Sequence, residues 1–226
     1  MTSSSVGPLM LVGGSEWTQG CDFDAQILDS LPGRKVVILP TAQSYENPFK
    51  ALEKATQWFS ELGSEVEGAM ILSRKDAQDK DNLKILRKAD LIYISDGSPL
   101  HLRSVLKDSL CFELLLQLWH QGVAIAGAGA GAMVLVDPMV DPRGGAFTVG
   151  LGMVEQLGLI PNFEEWSQDK VNRTLSLMPQ GIPLVGLSNR SALIRNSNGI
   201  WQSAGVGKVH FYLNRNEVSL EDLSLA

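Results

Sequence analysis

The chain has 226 residues, a formal net charge of −6 and 44% apolar residues. This length accommodates one large domain or two small ones. Because no Pro/Gly/Ser-rich linker or charged block divides it, we predict a single domain over residues 1–226. The scattered basic residues argue against a nucleic-acid surface, and the short apolar runs argue against a membrane span.

Two features of the sequence indicate the cellular compartment of the protein. The N-terminus, Met1 to Gly7, is polar and lacks the basic start and apolar core of a secretory signal. The two cysteines, Cys21 and Cys111, lie far apart and favour a reducing compartment over a disulfide framework. We therefore predict a cytoplasmic protein.

Up to Gly150, short apolar runs alternate with longer segments of helical period. The predicted strands are Leu9–Gly13, Lys35–Pro40, Glu65–Leu72, Leu91–Ser95 and Gly122–Gly127. The predicted helices are Cys21–Leu31, Asn47–Leu62, Asp76–Ala89, Pro99–Leu106 and Ser109–Gln121. Spacing within the second helix predicts an apolar face of Phe49, Leu52, Ala55, Phe59 and Leu62. The alternation predicts an α/β fold with a mostly parallel sheet flanked by helices on both faces.

After Gly150 the pattern changes. Ser167–Leu177 has helical period, and four short strands follow, at Pro183–Leu187, Ser191–Arg195, Ile200–Gln202 and Lys208–Leu213. Turns such as Asn198-Gly199 separate them. We predict from this a small antiparallel C-terminal extension on one edge of the sheet.

Three predicted strands end in unusual residues, at Gly13–Glu16, Ser95–Ser98 and Gly127–Ala132. Open parallel sheets bind ligands outside the carboxyl ends of their strands. The third segment combines a strand, a tight turn of small residues and a helix, which is the frame of a nucleophile elbow, G-x-S-x-G. Gly129 stands at the nucleophile position and has no side chain to form an acyl-enzyme. The amide of Ala130 would face a developing oxyanion.

The same turn has two other interpretations. A Gly/Ala-rich strand-to-helix turn also forms where close packing is needed, and Gly-rich loops also cradle phosphates. The motif alone leaves all three open.

Several long segments, in the right order, give the chain a wider resemblance. It resembles the dipeptidase E / cyanophycinase family of serine peptidases, which has a class I glutamine amidotransferase-like fold, and within it the bacterial branch called type 1 glutamine amidotransferase-like. The segments are VGGSEWTQGCDFD (Val12–Asp24), DGSPLHLRSVLK (Asp96–Lys107), GAGAGAMVLVDPMVDPRGGAFTVGLG (Gly127–Gly152), EWSQDKVNRTLSL (Glu165–Leu177) and GLSNRSALIR (Gly186–Arg195).

The resemblance implies a Ser-His-acid hydrolase of small peptides, and this chain departs from its motifs. Gly129 replaces the serine of G-x-S-A-G-A, and Asn162 replaces the histidine that follows a Leu-Gly-Leu segment. An acidic pair expected before Thr-Ala-Leu reads Ser188-Asn189. The oxyanion loop, Gly-Gly in the family, reads Asp96-Gly97, which leaves the amides of Gly97 and Ala130 as the implied oxyanion hole.

These departures predict loss of hydrolysis. Asparagine does not accept and return a proton near neutral pH as imidazole does, and triad members act as a unit. The only histidines, His101, His120 and His210, lie outside the Asn162 segment. We predict that Gly14, Glu16, Asp96 and Ser98 contribute to a binding cleft.

Other residues remain candidates for a relocated site. Replacement nucleophiles are Ser15, Ser95, Ser98 and Cys21, whereas Cys111 lies away from the strand ends. His101 is a candidate at the pocket rim, and His210 is more typical of a packed edge residue. Asp137 and Asp141 are candidates for a remnant of the triad acid, although either residue is also typical of a cap on a turn beside proline. Trp17 and Trp166 either line the pocket or pack in the core.

Three functions follow. The leading hypothesis is a pseudoenzyme that binds a small peptide or amino-acid-like ligand, or a protein partner. The second is an active hydrolase with a relocated nucleophile, or a nucleophile-knockout form of one. The third is a structural subunit, including a homo-oligomer. We predict no cofactor and no metal, because no His pair or tight carboxylate cluster is present.

Overall fold

The computed structural model describes residues 6–225. The predicted character of Met1 to Ser5 lies outside these residues. The strands, numbered in chain order, are β1 (Leu9–Val12), β2 (Lys35–Leu39), β3 (Glu65–Gly68), β4 (Leu91–Ile94), β5 (Ala124–Ala128), β6 (Val136–Asp137), β7 (Met139–Val140), β8 (Phe147–Thr148), β9 (Val154–Glu155), β10 (Gly158–Pro161), β11 (Leu184–Leu187), β12 (Ser191–Arg195), β13 (Trp201–Gly205), β14 (Val209–Leu213) and β15 (Asn216–Val218). The α-helices are α1 (Phe23–Asp29), α2 (Pro48–Glu61), α3 (Pro99–Leu106), α4 (Leu110–His120), α5 (Ala130–Leu135) and α6 (Gln168–Leu177).

A seven-stranded sheet forms the centre, in the order β13-β12-β1-β5-β4-β2-β3. The pairs β1–β5, β5–β4, β4–β2 and β2–β3 are parallel, and β12 and β13 add antiparallel strands beside β1. The parallel strands β1, β4 and β5 are buried along their whole length, as expected where both faces are covered. The predicted mostly parallel sheet is confirmed.

Helices cover both faces of this sheet. Buried apolar residues of α1 and α2 pack on one face, and those of α3, α4 and α5 pack on the other. Because β1, β4 and β5 run parallel to one another, their carboxyl ends lie on the same side of the sheet. The loops that follow them therefore meet there.

The predicted C-terminal extension is only partly correct. In the central sheet β12 pairs antiparallel with β1 and β13 pairs antiparallel with β12, but β11 and β14 belong to a second sheet, ordered β10-β11-β14-β15. In that sheet β10 pairs with β11 in parallel. The apolar run Gly158–Pro161 was not predicted as a strand, and it forms β10, which pairs with β11 in the second sheet.

The predicted helix Asp76–Ala89 is wrong. The segment forms two short 3-10 helices, Asp76–Gln78 and Asn82–Lys88, separated by an extended Asp79. The Asp76 carboxylate accepts hydrogen bonds from the backbone N–H groups of Leu72 and Ser73, at 3.1 and 2.9 Å. The Ser73 hydroxyl accepts in turn from the N–H of Asp76 at 3.3 Å, so this pair caps the start of the segment. Between the two short helices the N–H of Asp81 donates to Oδ1 of Asp79 at 2.9 Å, and such a local bond competes with a regular helix.

Two smaller expectations are correct only in part. On the predicted face of α2, Ala55 and Phe59 are buried, and Leu52 and Leu62 pack partly buried against the core. Phe49 is instead 69% exposed, and its neighbour Pro48 is buried. The strand predicted over Glu65–Leu72 ends at Gly68. Within residues 6–225, no helix is both long and apolar enough to cross a membrane.

Candidate functional site

The turn between β5 and α5 has the geometry of a sharp elbow. Gly129 adopts φ 49° and ψ −108°, and its N–H donates to the carbonyl of Val12 at 2.9 Å. A Cβ on Gly127 would lie 2.7 Å from the backbone of Gly131, and one on Gly131 would lie 2.6 Å from the carbonyl oxygen of Ile94. The flanking glycines therefore let the turn close against β4.

The two amides predicted as an oxyanion hole converge on one atom. The N–H groups of Gly97 and Ala130 each donate to Oδ1 of Asp96 at 2.7 Å. These distances are those at which backbone donors stabilise an oxyanion. Asp96 follows β4, Ala130 follows β5, and the parallel pairing of the two strands brings them together. The carboxylate of Asp96 itself is the anion that the two amides hold.

Asp96 also covers the tip of the elbow. A Cβ placed on Gly129 would fall 2.0 Å from Cγ of Asp96 and 2.1 Å from its Oδ1. A side chain at position 129 is therefore incompatible with this placement of the carboxylate. The sequence indicated Gly97 and Ala130 as an oxyanion hole beside Gly129, but it did not predict that the Asp96 side chain would occupy this position.

The side chain of Glu16 is buried and binds the backbone of the loop that contains Asp96. It is 6% exposed, and its Oε1 accepts a hydrogen bond from the backbone N–H of Asp96 at 3.2 Å. The ammonium of Lys54 donates to the backbone carbonyl of Glu16 at 2.7 Å. Burial raises the pKa of Glu16, and the nearby Asp96 carboxylate raises it further. The predicted binding residue Glu16 is thus a buried support of the loop.

A second buried carboxyl was missed by the sequence analysis. Asp24 is fully buried, its Oδ2 accepts from the indole N–H of Trp58 at 2.9 Å, and its Oδ1 has no partner among the described residues. Burial raises the pKa of Asp24 well above its usual range. The hydroxyl of Tyr93 and the indole N–H of Trp17 are also buried without a described partner, and the two rings lie 5.2 Å apart. Trp17 is thus a core residue.

Asn162 lies at the exit of β1, next to the elbow. Its N–H donates to the carbonyl of Gly13 at 2.7 Å, one residue beyond the carbonyl that binds Gly129. Its backbone is left-handed, with φ 48° and ψ 45°. A Cβ on Gly14 would lie 1.9 Å from Oδ1 of Asn162, so only glycine fits beside it. The predicted nucleophile and histidine positions thus flank the same strand end.

Asn189 joins three loops at this edge. Its side-chain amide accepts from Ser15 Oγ at 3.0 Å and donates to Glu165 Oε1 at 3.0 Å. Its backbone N–H donates to the carboxylate of Glu164 at 2.9 Å. The sequence did not predict Glu164 or Glu165 as site residues. The preceding Ser188 is buried, and its backbone carbonyl accepts from Ser191 Oγ at 2.8 Å.

Within residues 6–225, the candidate replacement nucleophiles form no hydrogen bond with a basic side chain. The hydroxyls of Ser15 and Ser95 donate to Asn189 and to the backbone carbonyl of Asp96, and Ser98 Oγ caps α3. Cys21 is buried, with Sγ 3.6 Å from the backbone oxygen of Ser15. Burial raises the pKa of Cys21, which keeps the thiol protonated near neutral pH.

The histidines are engaged outside this group. His101 Nε2 lies 3.0 Å from the carbonyl of Leu72 and its ring packs on Tyr45. His120 Nδ1 lies 2.7 Å from the carbonyl of Leu116. His210, in β14, lies 3.1 Å from the carboxylate of Glu217.

The remaining candidates have local partners. Asp137 accepts from the N–H of Gly150 at 2.7 Å, and Asp141 accepts from Arg143, which lowers the pKa of the Asp141 carboxyl.

Two further candidates, Trp166 and Cys111, also have defined surroundings. The Lys170 ammonium lies 4.4 Å from the Trp166 ring centroid. Burial raises the pKa of Cys111 to about 12. Among residues 6–225, no group of three or more His, Cys, Asp or Glu side chains is arranged to hold a metal ion.

The protein has a parallel sheet, a sharp turn after a central strand, and two backbone amides that point to one position beside that turn. These features define an α/β fold of the kind found in hydrolases with a nucleophile elbow. The family model for peptidase family S51 matches residues 9–201, and the chain belongs to that family. The resemblance to the dipeptidase E family is thereby confirmed. Among curated proteins, none matches the chain.

Several solved structures are similar to it. A peptidase from an acI-B1 Actinobacterium is 26% identical, with a TM-score of 0.83, and the match covers 96% of this chain and 94% of that one. A putative peptidase E protein from Listeria monocytogenes EGD-e is 19% identical, with a TM-score of 0.64 over 90% of this chain and 98% of that one. The second likeness bears on the fold alone.

Proposed function

We propose that this chain is a non-catalytic member of peptidase family S51 that binds a small peptide or amino-acid-like ligand at the carboxyl edge of its sheet. One observation carries the proposal. The Asp96 carboxylate accepts both amides that would otherwise stabilise an oxyanion, at 2.7 Å each.

This arrangement opposes acyl transfer for an electrostatic reason. Removing one oxyanion donor typically reduces the rate by a factor of about 10²–10³, and here both donors are bonded to an internal anion. A negative charge developing beside Asp96 would also be repelled by it. Gly129 also offers no nucleophile, and Asn162 offers no base, at the same end of the strands.

The family's usual activity provides the first test. Purified protein is assayed against α-aspartyl dipeptides and cyanophycin-like substrates, and we expect no turnover above a heat-treated sample. Turnover that survives further purification and falls on substitution of Glu16 or Asp96 would overturn the proposal. Labelling with a fluorophosphonate, followed by peptide mapping, addresses a relocated nucleophile; a stoichiometric adduct on Ser15, Ser95 or Ser98 would favour that alternative.

Binding is tested separately from hydrolysis. The thermal transition is measured with and without α-aspartyl dipeptides, for the native chain and for Asp96→Gly. We expect the dipeptides to stabilise at least one of the two, because a bound ligand raises stability by mass action. The exposed Asp79→Gly substitution serves as a control for the loss of a charge and the added backbone freedom. No shift in either protein would contradict the binding part of the proposal.

A further inference from the structure

A cavity of about 640 Å³ lies between α6 and the second sheet. Four ring-bearing side chains line it: Phe163, Trp166, His210 and Tyr212. The α6 residues Val171 and Leu175 add apolar wall on the opposite side. We call this space the ring cavity. The activity assays proposed above do not address it, because it is separate from the turn at Gly129.

Strand geometry explains why three of the rings lie together. His210 and Tyr212 are two residues apart in β14, so both side chains lie on one face of the sheet. Their ring planes are nearly parallel, at 6°, with centroids 6.4 Å apart. The centroid of Phe163 lies 4.6 Å from that of His210. Gly186 pairs with His210, and a Cβ there would fall 2.4 Å from the Phe163 ring, so this glycine lets Phe163 pack against the sheet.

The rings are held in place and remain accessible. Phe163, Trp166 and Tyr212 are partly buried and pack against a small apolar cluster that includes Val171 and Leu175. The partial exposure of the three rings leaves ring surface free to contact a ligand. Preformed cavities with aromatic and aliphatic walls are typical of sites that bind apolar ligand groups.

The charged groups on the wall favour a neutral occupant. The carboxylate of Glu217 pairs with His210 Nδ1 at 3.1 Å, and that of Glu164 accepts from the backbone N–H of Asn189 at 2.9 Å. The guanidinium of Arg215 lies on the same wall. A cationic group in the cavity would meet Arg215, and an anionic group would meet the two glutamates. An uncharged ring encounters neither repulsion.

The ring cavity adjoins the candidate cleft. Ser188 lines the cavity, and the side chain of the next residue, Asn189, accepts from Ser15 Oγ at the exit of β1. Phe163 directly follows Asn162, whose backbone N–H donates to a carbonyl at the same exit. A ligand that lies at the carboxyl edge is therefore within reach of the rings through its neighbouring residue.

We propose that the ring cavity receives an aromatic side chain of the ligand, so that the ligand is a small peptide with an aromatic residue beside the one at the Gly129 edge. This inference rests on the proposed function, which places a peptide-like ligand at that edge. Offset or tilted ring contacts add to the effect of burial and should strengthen binding about 2- to 10-fold relative to an aliphatic side chain.

The first test compares dipeptides that differ only in the second residue. Dissociation constants of α-aspartyl-phenylalanine and α-aspartyl-leucine are measured by calorimetry, in the native chain or Asp96→Gly, whichever the dipeptides stabilise. We expect a 2- to 10-fold preference for phenylalanine. Tyr212→Phe should keep this preference because the ring remains, and Tyr212→Leu should reduce it. Phe49→Leu, an exposed aromatic residue outside the cavity, serves as the control and should keep it.

Two results of this test would overturn the inference. One is equal affinity for the two dipeptides, and the other is tighter binding of α-aspartyl-arginine than of α-aspartyl-phenylalanine, which would indicate a cation site. Thermal unfolding of each variant establishes that it is folded.

A second probe separates the cavity from the edge. N-acetyl-phenylalaninamide carries the ring without any charged group, and the indole N–H signal of Trp166 in ¹H–¹⁵N spectra, assigned with Trp166→Phe, reports its binding. We expect this signal to shift in the native chain and in Tyr212→Phe, and to shift less in Tyr212→Leu. Failure of all dipeptides to bind, with this shift present, would contradict the proposed function but not the ring cavity. No shift up to the solubility limit of the probe would overturn the inference even if the dipeptides bind.

Discussion

The Asp96 carboxylate occupies the space in which a side chain at position 129 would lie. The Cβ that any residue other than glycine would carry at Gly129 falls 2.0 Å from Cγ of Asp96. The elbow and the loop after β4 are therefore matched to each other in this chain. Glycine at the elbow allows the carboxylate to enter, and the carboxylate satisfies the amides of Gly97 and Ala130. A residue with a side chain at position 129 requires Asp96 to move.

The first prediction concerns the stability of Gly129→Ala. Two effects act on this substitution: the left-handed φ of 49° and the overlap with Asp96. We expect a loss of about 2–4 kcal/mol in the free energy of unfolding, since a strained backbone residue alone costs about 1–3 kcal/mol. Urea titration monitored by circular dichroism measures it.

Two further variants separate the causes of this loss. Gly181→Ala has φ 81° and open space around its Cβ, so it reports the backbone cost alone. Adding Asp96→Gly to Gly129→Ala should recover part of the loss, and a double-mutant cycle gives the coupling between the two sites. Additive effects of the two substitutions would show that Asp96 does not constrain position 129.

The second prediction concerns repair of hydrolysis. Gly129→Ser alone should stay inactive because no base is present. Together with Asn162→His it should stay near background, because the Asp96 carboxylate, although displaced by the new side chain, remains beside the two amides and repels a developing oxyanion. Adding Asp96→Gly to both substitutions should raise the rate on α-aspartyl dipeptides, because it frees the amides of Gly97 and Ala130 and one oxyanion donor is worth a factor of about 10²–10³. The left-handed backbone at Asn162 is one that histidine tolerates.

The matched control for repair carries Asn162→Gln with the other two substitutions. It keeps the serine and the free amides but supplies no base, so it should remain near background. Fluorophosphonate labelling at position 129 reports the state of the serine independently of turnover. Full activity of Gly129→Ser with Asp96 intact would contradict the blocking role of that carboxylate.

The sequence predicted the parallel sheet and the turn at Gly129 because both depend on local pattern. Continuous apolar runs indicate buried parallel strands, and closely spaced glycines indicate a sharp turn. It did not predict the contact between Asp96 and Ala130, which are 34 residues apart and meet through strand pairing. The second sheet was missed for a related reason, since partner choice by Gly158–Pro161 is a tertiary property.

The third prediction concerns the pH dependence of stability. Burial raises the pKa of Asp24 above its value in the unfolded chain, so the folded state holds this proton more tightly. Its contribution to stability is complete below about pH 4 and is lost as pH rises through the raised folded pKa. Glu16 acts in the same direction.

Asp24→Asn should therefore raise stability near neutral pH and reduce the decline with increasing pH. The neutral amide keeps the acceptor for the Trp58 indole and removes the cost of ionising a buried group. Urea titrations between about pH 4 and about pH 8 measure the slope, and the exposed Glu53→Gln controls for the change in net charge. Equal slopes for the native chain and Asp24→Asn would contradict the buried, protonated carboxyl.

The fourth prediction concerns the two thiols, which are free and buried. Because burial raises the pKa of both, Cys21 and Cys111 should resist iodoacetamide in the native chain near neutral pH. After denaturation both should react to completion, which intact-mass measurement records as two adducts. Cys21 lies beside Ser15 at the candidate cleft, so it also tests the relocated-nucleophile alternative. Rapid, stoichiometric labelling of native Cys21 would show an activated thiol and would contradict a non-catalytic cleft.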